Sequence, residues 1–249
     1  MLSIGVALLF LGGAGQETGL LSGAEQRDVL LAQFESRYRT TRALSATFLE
    51  EYSENGKVTR KEAGKAYFLH PGKMRWDYEA PEKNTFLADG KYVWFITPED
   101  HTATRMPAKN SQDWPKPLTI LTQGIRLTRI CAQVEVAADV SPKQAGDKVY
   151  RCELRGTGDP QAKTESTAKE GGGAKVRRAH GAGTVLFELS PGGELNSLRV
   201  DAGAGAQVEF TFKDWQWNPV LSKRLFEFDA QPGMVIVNGP LPDSGGLRQ

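Results

Sequence analysis

Three histidines, two cysteines and a pair of alternating acids are the residues of this chain whose types could do chemistry, and their spacing supports none of the usual constellations. His70, His101 and His180 form no HExxH or other metal-ligand pattern, and the chain holds no CxxC pair and no GxSxG elbow. Zinc chemistry and serine hydrolysis are unsupported, so no metal and no cofactor is expected and the chain is read as a non-enzyme. Gly203-Ala204-Gly205-Ala206-Gln207-Val208 begins like a dinucleotide fingerprint, but it lacks the third glycine and leads into a strand instead of a helix. Asp77 and Glu79 share one strand face as a catalytic carboxylate pair would, yet alternating acids on a solvated strand face are ordinary surface chemistry.

Cys131 and Cys152 lie on what read as consecutive hairpin strands, which favours a disulfide if the protein is exported. Face parity opposes it: Cys131 alternates with the polar Arg129 and Gln133, whereas Cys152 alternates with Tyr150 and Leu154, and opposed residues share a face. A β-bulge would reconcile the two, so both outcomes stay open.

The richest stretch is His70-Pro71-Gly72-Lys73-Met74-Arg75-Trp76-Asp77-Tyr78-Glu79-Ala80-Pro81, followed by Asp89-Gly90-Lys91-Tyr92-Val93-Trp94-Phe95. Pro-Gly and Asp-Gly are turn dipeptides, and each opens a strand with large aromatic or thioether side chains at alternate positions. A face of Phe48, Phe68, Met74, Trp76 and Phe86 serves equally as an ordinary core or as the lining of a greasy cavity.

These side chains need elements to hold them. Residues 22–42 read as a helix, with Ser22 and Glu25 at capping-box spacing and Leu30, Phe34 and Tyr38 forming one stripe. Arg27, Gln33, Glu35 and Arg39 are left for water. Beyond Leu44 the period becomes two, with turns at Asn55-Gly56, Pro71-Gly72, Asp89-Gly90 and Gly192-Gly193. The alternation resumes with Ile130, Ala132, Val134 and Val136 on one face and ends in Val208, Phe210 and Phe212. About ten or eleven strands, each with one apolar face, predict a mainly β (α+β) fold: a strongly curved antiparallel sheet or barrel.

Two segments interrupt it. Trp114 to Gly124 predicts a short helix that serves as a plug or lid, with Leu118, Ile120 and Leu121 as its apolar contacts. Residues 156–183 are rich in Gly, Ala, Lys and Thr and nearly empty of large hydrophobics, which predicts a disordered loop. Residues 239–249, with Pro240, Pro242 and Gly245-Gly246, read as a flexible tail. At the other end, residues 1–15 carry Leu8-Leu9-Phe10-Leu11 and then small residues, the pattern of a signal peptide, although no Lys or Arg precedes the apolar run. No Cys follows to carry acyl chains, so an exported, soluble protein without a lipid anchor is expected.

The 249 residues with 39% hydrophobic content suit one domain, over residues 22–238. A net charge of +1 gives no excess of either sign for nucleic acid or an anionic membrane surface.

The order of these elements resembles the periplasmic outer-membrane lipoprotein carrier family, LolA. The resemblance rests on His70-Pro71-Gly72-Lys73-Met74-Arg75-Trp76, then Asp89-Gly90-Lys91, Trp94-Phe95, and a C-terminal stretch of Leu225-Phe226-Glu227-Phe228 with Pro232 to Val237. It implies an unclosed β-barrel covered by an N-terminal helix and a short lid helix, with an apolar cavity for the acyl chains of lipoproteins. Phe48, Phe68, Met74, Trp76, Phe86 and Trp94 are then the lipid-binding candidates, and His70, Leu118, Ile120 and Leu121 the lid. The implied partners are acylated lipoproteins, a releasing inner-membrane ABC transporter and an outer-membrane receptor, with the carrier itself a periplasmic monomer. Where the family has an Arg before the Pro, this chain has His70. A periplasmic lipid-sensing regulator or a carrier of another lipid are the alternatives on the same fold. From another class comes a secreted hydrolase, for which no nucleophile and base can be nominated.

Overall fold

The structure, a computed structural model, describes residues 23–108, 127–155, 183–203 and 205–241. The expected signal peptide, Ser22 of the capping box, the 114–124 lid helix, nearly all of the 156–183 loop and most of the tail lie outside the described residues.

The first helix, α1 (Gly23–Thr40), carries the four-residue stripe read from sequence: Leu30, Phe34 and Tyr38 are all buried. Six strands follow, β1 (Ala43–Glu54), β2 (Lys57–Leu69), β3 (Lys73–Ala80), β4 (Thr85–Ala88), β5 (Tyr92–Thr97) and β6 (Thr102–Pro107). After a single helical turn, α2 (Leu127–Ile130), come β7 (Cys131–Val136), β8 (Lys148–Leu154), β9 (Thr184–Leu189), β10 (Leu195–Gly203) and β11 (Ala206–Trp217). A 3₁₀ turn at Lys223–Phe226 precedes β12 (Val235–Asn238). Among the described residues these strands make one sheet in the order β12-β6-β5-β4-β3-β2-β1-β11-β10-β9-β8-β7.

Strands β1 to β6 and β7 to β11 each form a meander, and between β1 and β6 hairpin turns too short for crossovers force neighbours in sequence to pair. Asn55 and Gly56 adopt φ of 49° and 79°, the left-handed pair that a two-residue turn between right-twisted strands requires. The halves join where β1 pairs antiparallel with β11, and the end strands β7 and β12 do not meet. The result is the expected unclosed half-barrel. One strand departs from the antiparallel expectation: β12 runs parallel to β6, Val235 opposite Thr102, because the chain reaches that edge by crossing the outer face.

Curvature follows from side-chain size. Ala46, Ala66 and Trp76 are register partners across β1, β2 and β3, so two small residues form a floor beside one very large one. Trp76 arches over that floor to bring its ring within 5.3 Å of Phe210 on β11, three strands away. Flat strands at about 4.8 Å spacing would hold the two far apart, so the sheet must curl toward this face.

α1 lies on the concave side. Phe34 stacks on Phe187 at 5.8 Å, and the Tyr38 ring meets Trp215 and Trp217 edge-on. Arg37 caps the arrangement, donating to the Gly192 carbonyl at 3.0 Å, pairing with Glu194 at 3.2 Å and lying 3.8 Å over the Trp217 ring. Glu35, expected to face water, instead accepts a hydrogen bond from the Leu127 backbone N–H and so ties α1 to α2.

The convex side has its own smaller core. Leu87, Trp94, Ala103 and Phe226 are buried there beneath the chain segment that leads to β12. Arg75 clamps that segment, its Nε on the Asp77 carboxylate at 2.8 Å and its Nη1 donating to the Leu225 carbonyl at 3.2 Å. Asp77 also accepts from Thr85, whereas Glu79 reaches only Lys65 at 3.5 Å. Asp77 and Glu79 are thus a structural clamp and a surface charge, not a working pair.

The cysteines are bonded. Cys131 and Cys152 form a disulfide with their Cα atoms 5.4 Å apart. The register of β7 on β8 slips between Cys131 and Gln133, so Cys131 faces Leu154 while Val134 faces Cys152. This bulge turns Cys131 inward and leaves Ala132 exposed, the reverse of the expected Ala132 face. Thiol titration under denaturing conditions is expected to find no free thiol until reductant is added, and reduction is expected to lower Tm; two free thiols in the native isolate would refute the bridge.

Candidate functional site: the concave apolar face

Five of the six residues singled out for an apolar site come together on the concave side. Phe48, Phe68, Met74, Trp76 and Phe86 are buried in one core. Trp76 is its centre, with ring centroids of Phe48 at 4.6 Å, Phe68 at 5.9 Å and Phe212 at 6.0 Å. These near-perpendicular pairs are the geometry that aromatic quadrupoles favour.

Trp94 does not join them. Val93 points into the concave core, so its neighbour must point to the convex side, where Trp94 stacks on Phe228 at 3.9 Å. Its indole N–H donates to the Asp89 carboxylate at 2.9 Å, and the same carboxylate accepts from the Lys91 and Tyr92 backbone N–H groups at 2.7 Å each. The Asp-Gly-Lys and Trp of the sequence pattern are therefore one device: the Asp closes the turn and anchors the Trp under the C-terminal segment.

His70 directly follows β2, its backbone N–H donating to the Arg42 carbonyl at 2.9 Å. The side chain is half-buried, and that burial pushes its imidazole below the ordinary histidine value, so the neutral form prevails near neutral pH. Leu118, Ile120 and Leu121 lie outside the described residues.

A small hollow of about 10 Å³, room for little more than one water molecule, lies on the concave side under α1. Its lining is apolar throughout and includes Phe34, Leu127, Cys131, Cys152, Phe187 and Leu198. It belongs to the β7–β10 half, whereas the residues read from sequence belong to the other. The inward turn of Cys131, which no alternation pattern shows, places it here.

A buried carboxyl interrupts this side. Glu50, 3% exposed, accepts a hydrogen bond from the Tyr78 hydroxyl at 2.9 Å, and the Phe48 ring lies 5.1 Å from that of Tyr78. Burial first, then the Glu62 carboxylate, push the Glu50 carboxyl up to about 7, against the Tyr78 hydrogen bond and Arg60. Sequence reading missed Glu50, since one acid at an inward position of a regular strand carries no local signal. Among the described residues no group of three or more His, Cys, Asp or Glu gathers as metal ligands, and no helix is long and apolar enough to cross a membrane.

Comparison with known proteins bears on this face. The family model of the outer membrane lipoprotein carrier protein LolA matches residues 39–149. An outer-membrane lipoprotein carrier protein of Xanthomonas campestris pv. campestris (strain B100) is 26% identical over 201 residues, covering 80% of this chain and 83% of that protein. One of the same description from Dechloromonas aromatica is 23% identical over 202 residues, with the same coverage of each chain. Among solved structures, a LolA superfamily protein from Nitrosomonas europaea aligns with a TM-score of 0.41 and 10% identity, over 81% of this chain and 97% of its own. Residues 39–149 of this chain thus match the family model of outer-membrane lipoprotein carrier proteins, and the similarity to carriers of that description extends over about 200 residues.

Proposed function

We propose that this protein is a soluble periplasmic carrier that shields the acyl chains of lipoproteins on its concave face and moves them from the inner to the outer membrane. The observation that supports this reading is an aromatic and thioether face continuous across a curved open sheet, with α1 lying over it and a small apolar hollow beneath that helix. Three acyl chains of about fifteen carbons would cost on the order of 36 kcal/mol to expose to water, beyond the ceiling for noncovalent affinity. Such cargo crosses an aqueous compartment only inside an apolar host.

The hollow, about 10 Å³, has room for little more than one water molecule and for no acyl chain, so loading requires the cover to move and the apolar face to open. The polar clasp of α1 suits that task, because Arg37 and Glu194 are each more than a third exposed and water competes for them. In this reading Phe48, Phe68, Met74, Trp76 and Phe86 meet hydrocarbon once the cover lifts. His70, Leu118, Ile120 and Leu121 act at the second cover, an inner-membrane ABC transporter supplies the cargo and an outer-membrane receptor takes it. No step requires a catalytic group.

The test is lipid extraction and mass spectrometry on protein purified from the periplasm, followed by transfer of a bound lipoprotein to acceptor vesicles. Copurified acylated peptide that leaves on incubation with vesicles is expected. Protein free of any lipid that also fails to accept lipoprotein from detergent would remove the proposal.

A further inference from the structure

We propose that Trp76 recognises the ester linkage of a bound amphiphile, its indole N–H donating to the carbonyl that joins guest hydrocarbon to its head. The inference rests on the carrier reading above. Trp76 is fully buried, and its Nε1 has no hydrogen-bond partner. The rings around it, from Phe48, Phe68, Phe210 and Phe212, offer it no conventional acceptor. An unmet buried donor costs free energy that a phenylalanine of similar shape would not, and the neighbouring strands show that phenylalanine fits this face.

Two other described indoles are satisfied. Trp94 donates to Asp89 at 2.9 Å and Trp215 to the Leu195 carbonyl at 2.8 Å. Trp217 also has a buried N–H without an acceptor, but its ring packs against Tyr38 and Trp215 under Arg37, outside the cluster around Trp76. Trp76 alone among the described tryptophans keeps an unmet donor at the centre of the greasy face.

The nature of the missing acceptor follows from its surroundings. It must be neutral, because an anion among the rings of Phe48, Phe68, Phe210 and Phe212 would give up its water for a single N–H donor. It must also be continuous with hydrocarbon and bring no donor of its own, since the rings supply nothing to receive one. An ester carbonyl of an acylated glyceryl group meets all three conditions, and because Trp76 is fully buried it meets this carbonyl only once the cover has moved.

The experiment is displacement of a polarity-sensitive naphthalene dye by dimyristoylglycerol and by the ditetradecyl ether of glycerol, which has equal chains and no carbonyl. In the unaltered protein the diester is expected to displace dye at roughly fivefold lower concentration than the diether. Trp76→Phe is expected to abolish that ratio, which is taken between the two lipids within the variant and so does not depend on how strongly the variant holds either. If the variant fails to fold, the indole N–H proton resonance of Trp76 in the unaltered protein decides, moving downfield with diester and not with diether. Equal displacement by both lipids in the unaltered protein, or a ratio that survives in Trp76→Phe, overturns the role of Trp76 and leaves the carrier standing. Displacement by neither lipid removes both.

Discussion

Gly64→Ala is expected to lower the unfolding free energy by about 3 kcal/mol or more, seen as a fall in the urea midpoint. A Cβ at Gly64 would lie 1.9 Å from the Asp77 carbonyl oxygen, 2.9 Å from the Asp77 carbonyl carbon and 3.0 Å from the Tyr78 Cα. All three are backbone atoms of β3, so no side chain can swing aside and the strands must part. The close approach coincides with a register slip between Ala63 and Gly64, which places Tyr78 opposite Gly64 and Ala80 opposite Ala63. Gly56→Ala provides the contrast. Gly56 has φ of 79° and nothing within 4 Å of the added carbon, so only left-handed strain is incurred, about 1 kcal/mol. Equal losses in the two variants would show that β2 and β3 are not this close.

Glu50→Gln is expected to remove most of a stability loss that the unaltered protein suffers between pH 4.5 and 7. The carboxyl stands near 7 in the fold against an ordinary value of 4.5, so across that interval the folded chain holds a proton that the unfolded chain releases. Stability therefore falls as pH rises through the interval, by roughly 3 kcal/mol for a shift of this size, and stays at the lower level above pH 7. Glutamine keeps an acceptor for Tyr78 and carries no charge to desolvate. Facing Glu50 are Glu62 and Arg60 from β2 and Tyr78 from β3, while β11 presents the uncharged Phe210. Glu62, also raised by burial, leaves a smaller slope of the same sign in the variant. Urea midpoints at pH 5 and pH 8 for both proteins check this, and a variant as pH-dependent as its parent would rule Glu50 out.

Much of the sheet was legible residue by residue. Leu30, Phe34 and Tyr38 recur at the helical period, Met74, Trp76 and Tyr78 at the strand period, and all six are buried. Trp94 misled because its size suggested the cavity, although Val93 and Phe95 beside it already competed for the concave side. The Cys131–Cys152 bond could not be decided from alternation, since a single bulge reverses the face of every residue on one side of it. Gly64 did carry a signal, a glycine inside a regular strand, which marks a bulge or a close backbone approach.

Period and turn chemistry are local properties, written in φ and ψ preferences over a few residues, and they determined the helix, the hairpins and the apolar side of each strand from the chain alone. Which strands close on one another is not local. That Trp76 reaches Phe210, that the hollow lies beneath Phe34 instead of over Met74, and that Glu50 loses its water are decided by curvature. Curvature sums small differences in side-chain volume over many strands, and no window of the sequence contains that sum.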